Sequence, residues 1–231
     1  MQNVLQTHNL RKEYFKKVAL DGIDIEIPQG KIVGLLGPNG SGKTTLLKIL
    51  AGILRPSKGE ILICGKQPGV YTKSIVSYLP DKRFLYKWMK IKDSLDFFKD
   101  FYKDFDINKA NEMIEFMGLE QDSKIITLSK GMMEKLNLTL VLSRKAKLYI
   151  LDEPLGGVDP TAREKIIDAI LKNYTKESSM LVTTHLVNDI ERLFDDVCFI
   201  SEGKIVLTGN AEELRTEKNM SIDELYREVF K

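Results

Sequence analysis

Short apolar runs alternate along the chain with stretches of helical periodicity, an order that predicts a layered α/β protein. Val18, Leu20, Ile23, Ile25 and Ile27 alternate imperfectly with polar residues, so residues 3 to 27 read as strands joined by a basic bend, an antiparallel edge sheet. The run at 31 to 36 reads as a strand, and Leu46, Leu47, Ile49 and Leu50 make a helical stripe that Ala51-Gly52 ends. Ile61 to Gly65 and Ile75 to Leu79 are two further strands, the second stopped by Pro80-Asp81. Phe97, Phe98, Phe101, Tyr102 and Phe105 then recur at three-to-four spacing and predict a helix with an aromatic face. Ala110, Met113, Ile114 and Met117 form a second stripe, ended by Gly118.

From Leu128 the character changes. Leu128-Ser129-Lys130-Gly131 opens a helix through Met133, Leu136 and Leu140, and residues 147 to 151 read as a buried parallel strand delivering Asp152-Glu153-Pro154. Asp159-Pro160 starts a helix with a cap residue and a proline at the first helical position. Residues 180 to 184 form a strand ending at His185, those at 197 to 201 and 204 to 208 a hairpin, and Ser221 to Glu224 a capping box for a last helix. No internal repeat, low-complexity tract or flexible linker interrupts the series.

Composition narrows the classes. The 231 residues suffice for a stable core without staples. A net charge of +2 provides no long-range field of the kind that nucleic acid requires. Cys64 and Cys198, the two cysteines, each lie in a short apolar run and are expected as buried, reduced thiols in a cytosolic protein. No apolar segment reaches membrane-spanning length, and the Met1-Gln2-Asn3 start has no signal-peptide character. Work at a membrane would therefore need another subunit to cross it.

The strongest chemical signal is Gly37-Pro38-Asn39-Gly40-Ser41-Gly42-Lys43-Thr44, which has phosphate-loop spacing between a predicted strand and a predicted helix. Glycines let backbone N–H groups converge on phosphate oxygens, and the helix start adds its own donors. Lys43 supplies a point charge for the β- and γ-phosphates, Thr44 a hard oxygen for Mg²⁺, and Thr45 continues the nucleotide-binding run. Asp152 lies at the carboxyl end of an apolar strand, in the manner of a Walker B metal ligand. Glu153, one residue on, is the candidate for polarising an attacking water. Tyr14 offers a platform for adenine, with a packing role as the plainer reading.

In this order the motifs resemble the nucleotide-binding subunit of an ATP-binding-cassette (ABC) transporter of the exporter-like ABC-2 type: GPNGSGKT at 37–44, LSKGM at 128–132, LYILDEP at 148–154, GGVDP at 156–160 and TTH at 183–185. The resemblance covers nearly the whole chain. It implies a P-loop NTPase fold with an antiparallel β subdomain and a small helical subdomain. The core would comprise residues 1–79 and 145–210, the helical part 80–144 and a C-terminal tail 211–231, all in one domain. It implies ATP and Mg²⁺ as cofactors, Tyr14 against adenine and His185 as sensor of the γ-phosphate. Two such subunits, identical or different, would meet head to tail, with Ser129 and Gly131 touching the nucleotide of the partner and Asp159 at the seam. Transmembrane permease subunits would hold the protein on the cytoplasmic face of the membrane, with no nucleic acid as partner.

Two departures from the family pattern stand out. Lys130 occupies a usual glycine position of the signature and adds a cation near the phosphates. Asp81 replaces the glutamine that reaches toward Mg²⁺ and water. Lys82 to Lys90, rich in aromatics and cations, reads either as a docking surface anchored by Trp88 or as a loop folded onto the helical part. The alternative to a transporter subunit is a soluble ATPase of the same class with a regulatory, nucleic-acid or ribosome-associated role.

Overall fold

The structure, a computed structural model, describes residues 2–82 and 84–231; Met1 and Arg83 lie outside them. Two sheets organise it. Strands β1 (Asn3–Tyr14), β2 (Lys17–Pro28) and β4 (Lys58–Ile63) form an antiparallel sheet in the order β2-β1-β4. The second sheet runs β5-β6-β7-β3-β8-β9, from β3 (Ile32–Leu36), β5 (Val76–Leu79), β6 (Leu148–Asp152), β7 (Ser179–Thr183), β8 (Asp196–Ser201) and β9 (Lys204–Asn210). All of its neighbours are parallel except β8 and β9, the expected hairpin. The five residues of β3, of β6 and of β7 are all buried, which explains why they read as continuous apolar runs without alternation.

Two cores lie on opposite faces of the parallel sheet. One packs α1 (Lys43–Leu50) and the antiparallel sheet against Val33, Leu35, Leu148 and Ile150. The other joins Tyr149, Leu151 and Met180 to α5 (Lys130–Leu142) and α6 (Pro160–Asn173) and to the helical part. This division follows from the two-residue period of a strand.

The helical part contains α3 (Ile91–Phe101) and α4 (Ile107–Met117). The aromatic stripe is only partly helical. Phe101 ends α3 exposed, while Tyr102 and Phe105 return from the following turn to place their rings 5.2 and 5.7 Å from that of Phe98. Asp106 caps α4 by accepting from the Lys109 N–H, so a second helix start competes with extension of the first. Arg144 ties this part to the core. It is buried, pairs with Asp104, donates to the Val76 and Ser74 carbonyls and lies 4.0 Å from the Tyr102 ring centroid.

Several short elements were not evident in the sequence: α2 (Val70–Ile75), α7 (Val187–Ile190) and α8 (Ala211–Lys218). The capping box of α9 (Ile222–Val229) forms as expected from Ser221 and Glu224. Cys64 departs from expectation: it is half-buried in the turn after β4, with left-handed φ of 47°, whereas Cys198 is buried in β8; both thiols are free.

Candidate functional site

One rung of the parallel sheet assembles the site. Leu35 pairs with Thr183, and Thr183 with Asp152, so three adjacent strands end level. Gly37 follows β3, Glu153 follows β6 and His185 follows β7, all at the carboxyl edge where open α/β sheets bind ligands. Asp81 comes from the same edge, two residues past the Leu79–Leu151 pair of β5 and β6.

The loop is pressed close to its neighbours. A Cβ on Gly37 would stand 2.2 Å from the Ile200 carbonyl oxygen, and one on Gly42, whose φ is +113°, 2.7 Å from that of Ala19. Only glycine fits at these positions, and the loop borders a cavity of about 350 Å³. Its lining includes Tyr14, Asn39, Gly40, Gly42, Lys43, Thr44, Thr45, Asp81, Asp152 and Glu153. The Lys43 ammonium donates to the Gly37 and Pro38 carbonyls at 2.6 and 3.1 Å. Burial lowers its pKa, while Glu153 and then Asp152 oppose that shift.

The two carboxylates have different surroundings. Asp152 is buried; its Oδ1 accepts from the Thr183 hydroxyl at 2.8 Å, and its Oδ2 has no partner. Burial pushes its carboxyl above the usual range, against the nearby Thr183 and Thr44 hydroxyls. Glu153 takes a left-handed φ of 54°, which turns its side chain away from the strand line. Its Oε2 accepts from the His185 backbone N–H at 3.1 Å and lies 2.8 Å from His185 Nδ1.

The donor set fits a magnesium ion held jointly with a substrate. Asp152 Oδ2 is a buried orphan oxygen and Ser41 Oγ a second one in the loop, while the Thr44 hydroxyl lines the same cavity. Among the described residues no three His, Cys, Asp or Glu side chains could hold a metal alone. Magnesium characteristically completes its shell with phosphate oxygens and water.

Ser129, Gly131 and Asp159 form a separate cluster, absent from the lining of that cavity. Ser129 caps α5 by accepting from the Met132 N–H, and Asp159 caps α6 through the Ala162 N–H. A Cβ on Gly131 would lie 3.9 Å from Asp159 Oδ2, so the two helix starts adjoin. Lys130 lies across Gly157 of the neighbouring loop, where an added Cβ would collide with its ammonium. One chain thus carries the phosphate cradle and the signature at different places.

A profile described as ABC transporter matches residues 20–156. The chain belongs to the ABC transporter ATP-binding family. It is an ATP-binding, ATP-hydrolysing subunit with the P-loop NTPase fold. Among its relatives is the uncharacterized ABC transporter ATP-binding protein YxlF of Bacillus subtilis, 33% identical over 95% of this chain and 75% of the relative. The Nod factor export ATP-binding protein I of Cupriavidus metallidurans is 32% identical over 93% of this chain and 73% of its own. A solved ATP binding subunit of an ABC transporter superposes with a TM-score of 0.89 at 25% identity, covering 99% of this chain and all of the other.

Sequence reasoning missed Tyr78 on β5. Its hydroxyl is buried without a partner, and only the sheet register places it relative to Asp152.

Proposed function

We propose that this cassette binds Mg²⁺–ATP in the cavity above β3 and β6, pairs with a second cassette around the nucleotide, and drives an exporter-like permease. The rung Leu35–Thr183–Asp152 carries the reading, because it gathers the phosphate loop, Asp152, Glu153 and His185 at one edge. Loop N–H groups and Lys43 take the β- and γ-phosphates, exchanging the Gly37 and Pro38 carbonyls for phosphate oxygens. Tyr14, at the cavity rim, stacks on adenine.

Bound through Thr44 and Asp152, magnesium would neutralise developing charge on the phosphates. Glu153 orients a water in line with Pγ and accepts its proton as the new P–O bond forms and the bond to ADP breaks. His185, joined to Glu153, reports on the γ-phosphate. Ser129 and Gly131 of a second cassette, with the positive end of α5, close on that phosphate, and Asp159 couples the two sites.

The permease side is marked by an apolar groove of about 540 Å³, lined by Ala51, Ile53, Tyr78, Pro80, Phe84 and Tyr102 among others. The segment after Asp81 divides between the two readings. Met89 is buried and the Phe84 ring lies 6.1 Å from that of Phe98, whereas Trp88 and Tyr86 stack on each other and face solvent. Arg83, part of the same reading, lies outside the described residues. No helix among the described residues is long and apolar enough to cross a membrane; in the proposed assembly the permease makes the crossing and the cassette sits on its cytoplasmic side. The transporter and export proteins among the relatives favour this over a soluble regulatory or ribosome-associated ATPase.

Affinity capture of the full chain from detergent-solubilised membranes tests the reading. A polytopic membrane protein should be recovered and should raise ATP turnover, and Trp88→Ala should weaken the capture. Recovery of ribosomes or nucleic acid in its place would overturn the transporter role.

A further inference from the structure

Tyr78 and Asp152 stand on the same face of adjacent parallel strands. Tyr78 pairs with Ile150, and Asp152 lies two residues further along β6. The diagonal between such positions is about 8 Å, from a strand spacing near 4.8 Å and a rise near 3.3 Å per residue. A tyrosine leaning along its strand toward the carboxyl edge spans that gap. The ring packs with the α1 core, beneath the helix that carries Thr44. Asp81 comes three residues after Tyr78 on the same chain.

Two buried polar atoms in this small region lack partners: the Tyr78 hydroxyl and Asp152 Oδ2. One is a donor and the other an ionisable acceptor, and leaving either unmatched costs stability. Burial, and after it the charges of Asp152 and Asp81, push the pKa of the phenol up. Neighbouring Ser77, which faces the other way, has its hydroxyl satisfied by the Val141 carbonyl. The orphaned donor is therefore confined to the catalytic face of β5.

We propose that Tyr78 is a positioning residue for the catalytic metal: its hydroxyl donates to the carboxylate and water shell of Asp152 and Asp81 when Mg²⁺–ATP binds, which fixes Asp152 Oδ2 toward the ion. The inference rests on the metal site of the preceding section. It also gives Asp81 a role that needs no direct reach to the metal, as a second acceptor in that shell. The Tyr78 ring also lines the apolar groove proposed for the permease, so the same residue would link that surface to the metal site.

Tyr78→Phe deletes the hydroxyl alone and keeps the ring. Binding of a fluorescent ATP analogue would be measured with excess Mg²⁺ and with EDTA, for the full chain, for Tyr78→Phe and for Asp152→Asn, alongside thermal unfolding. The parent should bind more tightly with Mg²⁺, and Asp152→Asn should lose that gain. Tyr78→Phe should bind normally in EDTA yet lose about tenfold of the gain, the scale of one hydrogen bond to a charged group. An unchanged Mg²⁺ gain in Tyr78→Phe, with Asp152→Asn still defective, would overturn the role of Tyr78 and leave the metal site standing. A full Mg²⁺ gain in Asp152→Asn would overturn the metal site itself. A hydroxyl with only a packing role would show itself as higher thermal stability of Tyr78→Phe with an unaltered Mg²⁺ gain, which counts against the proposal.

Discussion

Asp152 is the residue at which stability and function pull apart most clearly. Burial raises its carboxyl above the usual range, so the folded protein holds that proton more tightly than the unfolded chain. The contribution of Asp152 to stability is then fullest below the unfolded value, about 4, and shrinks as pH rises through the folded one. Asp152→Asn keeps an acceptor for the Thr183 hydroxyl and removes the buried charge. In metal-free buffer its Tm should exceed that of the parent at neutral pH, and the gap should close as pH falls toward 4; a gap independent of pH would contradict the assignment. Residues of this kind were legible in the sequence because the chemistry of each is tied to a strand end. Gly37, Asp152 and His185 follow apolar runs that became adjacent parallel strands. Tyr78 was not legible, since its meaning depends on which residue of β6 stands beside it and on an unpaired hydroxyl.

At the scale of elements, helix starts do two tasks at once. Asp159 accepts from the Ala162 N–H and also stands beside Gly131 at the start of α5. Asp159→Ala should cost about 1 kcal/mol in unfolding free energy, as loss of a cap does, whereas Asp159→Asn should stay within a few tenths. Both should lower the Hill coefficient of ATP hydrolysis, because both remove the charge assigned to the seam. An unaltered Hill coefficient in both would reduce Asp159 to a cap. The long elements were readable from periodicity, and those missed had weak patterns. Helix α8 buries Ala211 alone among its fully buried residues and owes its start to the Asn210 side chain, which accepts from the Glu212 and Glu213 N–H groups. The strand β4 begins at Lys58, before its apolar residues, because the register with β1 recruits the preceding polar segment. Helix α3 stops at Phe101 where an aromatic stripe continues, because packing of Tyr102 and Phe105 on Phe98 does not need helical backbone.

For the whole molecule, the phosphate cradle and the signature lie apart on one chain, and the proposed function makes each one half of a shared site. The cradle carries Lys43, Thr44, Asp152 and Glu153, and the signature presents the start of α5 with Ser129 and Gly131. On the proposed function, closure of two cassettes around ATP would complete both halves, and hydrolysis would reopen them. The helical part is held to the core by Arg144 through Asp104 and the β5 carbonyl of Val76, and Arg144 also lines the groove on that side. The most direct measurement is sedimentation of Glu153→Gln with Mg²⁺–ATP, paired with its turnover rate. The account predicts an ATP-bound dimer that persists while hydrolysis falls at least about a hundredfold, the scale of losing a group that acts in the transition state. A variant that stays monomeric with ATP, or that hydrolyses it at the parent rate, would contradict it.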